Sequence, residues 1–306
     1  MKSRRWSVFL AVVLVSLSTF PQLRAAARTN DLLVLSLEEL LNVKVSVAST
    51  EPETIPSTPA IVSTYYMNDL MLLGARSLAE ALAFIPGVVV DEGTFGITSV
   101  MIRGAAELAN SQVLFLLDGT PYWSPSHSSF STLTVPLEAI DRIEVIRGPG
   151  AVIYGSNAIN GVINVITRSQ AGGRAALTVG SNRHRNIGAS ITENMGEDSW
   201  ISASFEYQEQ EGYTGEYRFN ELRLRMPRPK EMSSAMVRYG NKNLHLLFHM
   251  YEETVRGRNP PTAANPDPLP DILENVHQDG YLAHADYTWH MQSSSLKVYT
   301  DYNQYT

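Results

Sequence analysis

Cysteine is absent from all 306 residues, which removes a disulfide scaffold, a thiolate zinc site and a cysteine nucleophile together. A chain without thiols suits export into an oxidising compartment. Basic charge is also scarce: 24 Lys and Arg stand against 31 Asp and Glu, a formal net charge of -7. With a pI near 5.5, this balance argues against nucleic acid as a partner, which calls for a basic patch. Long hydrophobic runs are missing as well. The apolar stretch from Ser7 to Phe20 is roughly 14 residues, whereas a membrane-spanning helix needs about 20. Residence in a membrane would therefore have to rest on strands. A mean hydropathy of -0.11 is neutral on that point, because barrel strands alternate apolar and polar residues.

What is present begins with an export pattern. Lys2, Arg4 and Arg5 precede the apolar run, Pro21 breaks it, and Ala25-Ala26-Ala27 supplies small residues for a signal peptidase. Residues 1–27 read as a secretory signal peptide. Residues 28–59 read as an exposed lead-in. Ser36–Leu41 there suits a helical turn or two, and Val43-Lys44-Val45-Ser46-Val47 alternates like a short strand. Pro52, Pro56 and Pro59 prevent regular structure just after it.

Residues 60–170 have the pattern of a small α+β domain. Ser77-Leu78-Ala79-Glu80 has capping-box spacing, in which the Ser takes a free amide and the Glu reaches back. Leu78, Ala81, Leu82 and Ile85 then fall on one helical face, and Pro86-Gly87 ends the helix. Short strands are expected at Val88–Val90, Ser99–Ile102, Val113–Leu117, Ile143–Ile146 and Val162–Thr167, each bounded by turn residues.

From residue 174 to 306 the period is two. Ile201, Ala203, Phe205 and Tyr207 alternate with Ser202, Ser204 and Glu206, and Leu244, Leu246, Phe248 and Met250 with His245, Leu247 and His249. Tyr281, Ala283, Ala285, Tyr287 and Trp289 alternate with Leu282, His284, Asp286 and Thr288 in the same way. Such sets point to opposite faces of a strand. A soluble sandwich would alternate identically, so the connections decide. About seven strands are expected, near 174–180, 187–193, 200–207, 233–239, 244–251, 280–289 and 296–304. Polar turns at Met195–Ser199, Gly240–Asn243 and Met291–Ser295 contrast with long loops at 208–232 and 252–279. Short turns on one rim and long loops on the other describe an antiparallel transmembrane β-barrel of the outer-membrane type. Single-chain bacterial barrels use an even number of strands. The expectation is thus an incomplete barrel, either a fragment of a longer protein or a truncated product.

The densest motif is Ile140–Thr167. Gly148-x-Gly150 opens a glycine-rich turn, but Ile153 stands where a dinucleotide fingerprint wants Gly. Gly150 to Gly155 has phosphate-loop spacing, but Ser156 occupies the place of the essential Lys. Tight turns and close strand approaches account for these glycines better. The ordered series Ile102-Arg103-Gly104, Leu117-Asp118-Gly119, Glu144–Gly150, Tyr154–Ala158 and Asn160–Thr167 resembles the plug domain of TonB-dependent receptors. The resemblance covers residues 60–170. It implies a plug lodged in a large barrel, which in proteins of this kind has 22 strands. It further implies outer-membrane localisation among lipid, a TonB-type energy-coupling protein as partner, and energy-coupled uptake of a scarce ligand such as a ferric siderophore, haem or a cobalamin.

Site expectations follow from the resemblance. Val43, Lys44, Val45, Ser46, Val47 and Ala48 resemble a TonB box, a segment that adds as a strand to its partner; the bland reading is a linker strand. Outward plug loops at Asp91–Thr98 and Tyr122–Ser131 would face the ligand, with Asp91, Phe95, Tyr122, Trp123 and His127 as candidates. Aromatics there either stack on a planar ligand or pack on the barrel wall. Arg103, Glu144 and Arg147 are either surface charges or a lock to wall charges. His127 alone makes no metal site. His245, His249, His284 and Asp286 are expected as a polar lumen lining. No arrangement of catalytic type rises above chance, so neither an enzyme nor a cofactor or metal requirement is expected.

Overall fold

Val113–Leu117 is a five-residue apolar run with no polar face, and all five side chains are buried. A strand covered on both sides reads this way. In the computed structural model it lies inside a five-stranded sheet. The structure describes residues 44–45, 53–54, 62–92, 98–104, 112–122, 134–148, 157–211, 215–219, 222–226, 230–257, 274–291 and 294–305.

The strands of the first sheet are β3 (Val62–Tyr66), β6 (Val113–Leu117), β7 (Thr120–Pro121), β8 (Ile140–Arg147) and β9 (Gly161–Thr167), in spatial order β3-β8-β9-β6-β7. β6 and β9 are parallel; the other neighbours are antiparallel. β4 (Val88–Glu92) and β5 (Thr98–Ile102) form a separate antiparallel pair. Ahead of the domain, β1 (Lys44–Val45) pairs antiparallel with β2 (Glu53–Thr54).

Helix α2 (Leu78–Ala83) forms where the capping pattern predicts it. Ser77 Oγ accepts the Glu80 amide at 3.2 Å. The return bond differs from the expected box: Glu80 takes the amide of Arg76 at 2.8 Å and its guanidinium at 2.5 Å, one residue upstream of the cap. Leu78, Ala81, Leu82 and Ile85 are each at most 1% exposed, as the shared face requires. Helix α1 (Met67–Leu72) has no side-chain cap and no counterpart in the sequence reading; Met67 and Leu70 hold it on the core.

The period-two region is one antiparallel meander of seven strands: β10 (Gly172–Val179), β11 (Arg185–Asn194), β12 (Trp200–Gln210), β15 (Lys230–Gly240), β16 (Leu244–Gly257), β17 (Glu274–His290) and β18 (Ser295–Tyr305). All seven expected strands are present, and β10 and β18 are the edges of this open wall. The three short turns close with matching 2.8 Å bonds, Met195 to Ser199, Asn241 to Leu244 and Met291 to Ser294. Two readings need correction. The stretch taken as a loop at 208–232 carries a hairpin, β13 (Gly215–Phe219) with β14 (Leu222–Met226). β16 and β17 also run on for 14 and 17 residues, well into the expected loop 252–279.

The wall has two unlike faces. Ser202, Ser204, Glu206, Gln208, Ser234, Arg238, His249 and Asp286 are buried on the inner one. Leu177 (77% exposed), Phe248 (39%), Trp289 (48%) and Val298 (52%) stand on the outer one. Polar groups inside and apolar groups outside invert the soluble pattern, as a lipid-facing barrel wall requires. Among the described residues no helix is long and apolar enough to cross a membrane.

Candidate plug–wall interface and ligand face

The quoted motifs are, first of all, turns. In Leu117-Asp118-Gly119-Thr120, Asp118 and Gly119 have φ of 50° and 81° while Leu117 and Thr120 pair across the hairpin. Two consecutive positive φ values between paired strands define a type I′ turn, for which Asp-Gly is a preferred pair. The turn is tied to β9: Thr167 donates its amide to Asp118 Oδ1 at 2.8 Å, and Gly119 donates to Asn164 Oδ1 at 3.0 Å. In Ile102-Arg103-Gly104 the last two residues also have positive φ, 59° and 73°.

Arg103, Glu144 and Arg147 each make bonds within the first domain. Arg103 Nη2 donates to the carbonyl of Arg147 at 2.6 Å. Arg147 donates to Ser63 Oγ at 3.0 Å and to the Tyr65 hydroxyl at 2.5 Å, fastening β8 to β3. Glu144 is fully buried and pairs with Arg142 at 2.9 Å. Burial pulls the Arg142 guanidinium down, but Glu144 and Asp141 outweigh it and hold the group above its ordinary value.

Apart from His249 and Tyr122, the plug–wall contacts are made by residues that the sequence did not single out. The 3₁₀ turn Leu137–Ala139 presents its first amide to the wall, where Glu206 Oε2 of β12 accepts it at 2.7 Å. Asn186 of β11 donates to the other oxygen at 2.6 Å. A carboxylate buried to 4% exposure is thereby given two donors. Glu138, in the same turn, is 5% exposed. Burial raises its carboxyl above the ordinary value, and Arg174 and Arg168 only partly offset this. One turn away, the Thr134 carbonyl accepts from Ser234 Oγ and from His249 Nε2, the latter at 2.9 Å. A carbonyl can only accept, so His249 carries its proton on Nε2.

Of the ligand-face candidates, Tyr122 is 2% exposed and packs on the wall. Its ring lies 5.5 Å from His249 and 6.4 Å from Tyr251, and its hydroxyl meets Thr134 Oγ1 at 2.5 Å. Asp91 is exposed on β4. Phe95, Trp123 and His127 lie outside the described residues, as do Val43, Ser46, Val47 and Ala48. Lys44 and Val45 are the two residues of β1. Of the set expected on the inner face, His249 is fully buried and Asp286 is 5% exposed. His245 and His284 join Asp286 at 3.3 and 3.0 Å. Among the described residues no group of three or more His, Asp or Glu side chains is arranged to hold a metal ion.

An α+β domain bound through polar contacts to the inner face of an antiparallel, outwardly apolar wall is the arrangement of a plugged barrel. The TonB-dependent Receptor Plug Domain family matches residues 54–162. The chain is 32% identical over 186 residues to the vitamin B12 transporter BtuB of Photobacterium profundum, covering 59% of this chain and 30% of that protein. It is 37% identical over 144 residues to BtuB of Vibrio vulnificus, covering 45% and 23%. A variant of the ferric enterobactin receptor PfeA of Pseudomonas aeruginosa superposes with a TM-score of 0.60 at 16% identity, over 82% of this chain and 41% of that one. Residues 54–162 belong to the plug-domain family, and the strands that follow have the fold of part of such a receptor's barrel. The chain spans less than a third of the length of the curated relatives it matches.

Proposed function

We propose that this receptor takes up a cobalamin across the outer membrane, driven by a TonB-type partner that reaches it from the periplasm. The observation that carries the reading is the identity of 32% and 37% to two proteins named as vitamin B12 transporters. The structural neighbours, ferric siderophore receptors at under 20% identity, support the fold and leave the ligand to the closer sequences. Ligand capture falls to the outward plug loops around Asp91–Thr98 and Tyr122–Ser131, with Asp91, Phe95, Trp123 and His127 as contact residues. Tyr122 serves there by fixing one end of its loop to the wall.

Val43–Ala48 is the proposed contact for the TonB-type protein. Support comes from the backbone: Lys44 and Val45 are extended and already engaged in antiparallel pairing. Main-chain hydrogen bonds supply most of the affinity when a strand is added in this way. Val45→Pro removes one donor, and it should abolish uptake while leaving receptor abundance in the membrane unchanged.

The deciding experiment expresses the receptor in cells lacking their own cobalamin receptor and follows labelled cyanocobalamin. Saturable uptake that disappears when the TonB-type protein is deleted is the expected result. Uptake of a ferric siderophore or haem in place of cobalamin would overturn the ligand assignment, and no energy-dependent uptake of any of them would overturn the transport reading.

A further inference from the structure

Arg238 starts on the wall, in β15, and its head ends in the plug. It is 4% exposed. Nη1 donates to Thr167 Oγ1 and lies 3.6 Å from Asp118 Oδ2. Nη2 donates to the carbonyl of Arg168, and to Ser202 Oγ on neighbouring β12 at 3.0 Å. Three of these four acceptors belong to the plug. The guanidinium therefore joins the Asp118-Gly119 turn and the end of β9, already linked by the Thr167 to Asp118 bonds, to the inner wall.

The head is also held from behind. Its centre sits 5.0 Å from the Trp200 ring, within the range of a cation–π contact. Trp200 faces Gly240 across the β12–β15 ladder. A Cβ at Gly240 would fall 2.6 Å from the indole, so only glycine leaves the ring room to lie there. Trp200 and Gly240 together present Arg238 to the plug.

Beside this contact, plug and wall do not pack. A cavity of about 500 Å³ separates them, lined by Asp141, Arg142 and Arg168 from the plug and by His284, Asp286 and Lys297 from the wall. A space of this size and polarity holds water. It lies at the short-turn end of the wall, which is the periplasmic end of such barrels.

We propose that Arg238 is the clamp on this wet seam: a positioning residue that sets how readily the periplasmic side of the plug parts from the wall, and hence how much the receptor leaks. The inference rests on the reading of the chain as a plug seated in a complete receptor barrel. Lysine would keep the charge but cannot reach Asp118, Thr167 and the Arg168 carbonyl from one planar fork.

The test is ion conductance of the full-length receptor in planar bilayers, without ligand or energy-coupling partner. Folding is checked by heat-modifiable migration of the barrel. Arg238→Ala should raise open probability on the order of a hundredfold, less than for a wholly buried pair because the Asp118 side chain is 28% exposed. Arg238→Lys should raise it by about tenfold, because the planar fork is lost. Asp118→Asn keeps an acceptor for the Thr167 amide and should leak as well, which guards against a fold defect in the Arg238 variants. Trp200→Phe should stay near wild type and Trp200→Ala should not. A folded Arg238→Ala and a folded Asp118→Asn that are both as tight as wild type would overturn the clamp. Cobalamin uptake with no change in leak would leave the transport reading standing and sink the clamp; leak in the variants with no uptake of any ligand would do the reverse.

Discussion

Glu138 shows how a single side chain couples the plug to its surroundings. It sits in the 3₁₀ turn against the wall at 5% exposure, with its Cγ 3.5 Å from where a side chain would begin at Gly188 of β11. Burial raises its folded-state carboxyl pKa. A carboxyl with a raised pKa binds its proton more readily in the folded state than in the unfolded one. Stability then increases as the pH falls from the raised value towards the ordinary 4.5. Glu138→Gln should remove this dependence and stabilise the plug at neutral pH. Thermal unfolding of the receptor at pH 7 and pH 5 checks it: the wild type should gain on acidification, and the variant should gain less. Glu144 makes the opposite case. Fully buried beside Arg142, it would on truncation leave that guanidinium with Asp141 as its remaining carboxylate, at a cost below the roughly 3–5 kcal/mol of a buried charge left wholly unpaired.

Among elements, the β6–β7 hairpin depends most on local chemistry. Its type I′ turn needs positive φ twice, and Asp118-Gly119 meets this where most pairs would not. Gly119→Ala should cost about 1–2 kcal/mol through left-handed strain alone, since nothing lies within 4 Å of the added carbon. Chemical denaturation of the receptor, followed by a plug-specific probe, would read that loss. Helix α2 and the hairpin turns were legible because cap and turn residues act over three or four positions. Helix α1 was not: it lacks a cap, and tertiary contacts of Met67 and Leu70 hold it. The upper parts of β16 and β17 were missed for a related reason. Residues such as Glu252, Glu253, Gln278 and Asp279 put polar groups on both faces, and a ladder that rises past the lipid has no outer apolar face to betray it.

On the scale of the whole molecule, lipid on one side of the wall and the plug on the other impose opposite demands. Phe248→Arg places a charge on the lipid face and should cost up to about 2–4 kcal/mol, depending on depth. His245→Arg, on the inner face of the same strand, places a guanidinium beside Asp286 and should be tolerated. Urea titration of the folded receptor in lipid vesicles would separate the two. Equal losses would mean that both faces meet the same environment, and the barrel assignment would fail.

The sequence by itself determined the order of things: an α+β plug, then antiparallel strands whose two faces differ, joined by alternating short and long connections. Period, caps and turn residues are local quantities, and each can be read within a few positions of the chain. The ordered plug motifs likewise determined the kind of receptor. Only the tertiary structure decided which residues join the two parts. Arg103, Glu144 and Arg147 make bonds inside the plug, whereas Glu206, Ser234, Arg238 and His249 reach from the wall to the plug. A period of two states which face a side chain takes. It cannot state what stands opposite, because the plug partners of Glu206 and Arg238 lie 69 to 120 residues away, and that separation is closed only when the chain folds back on itself.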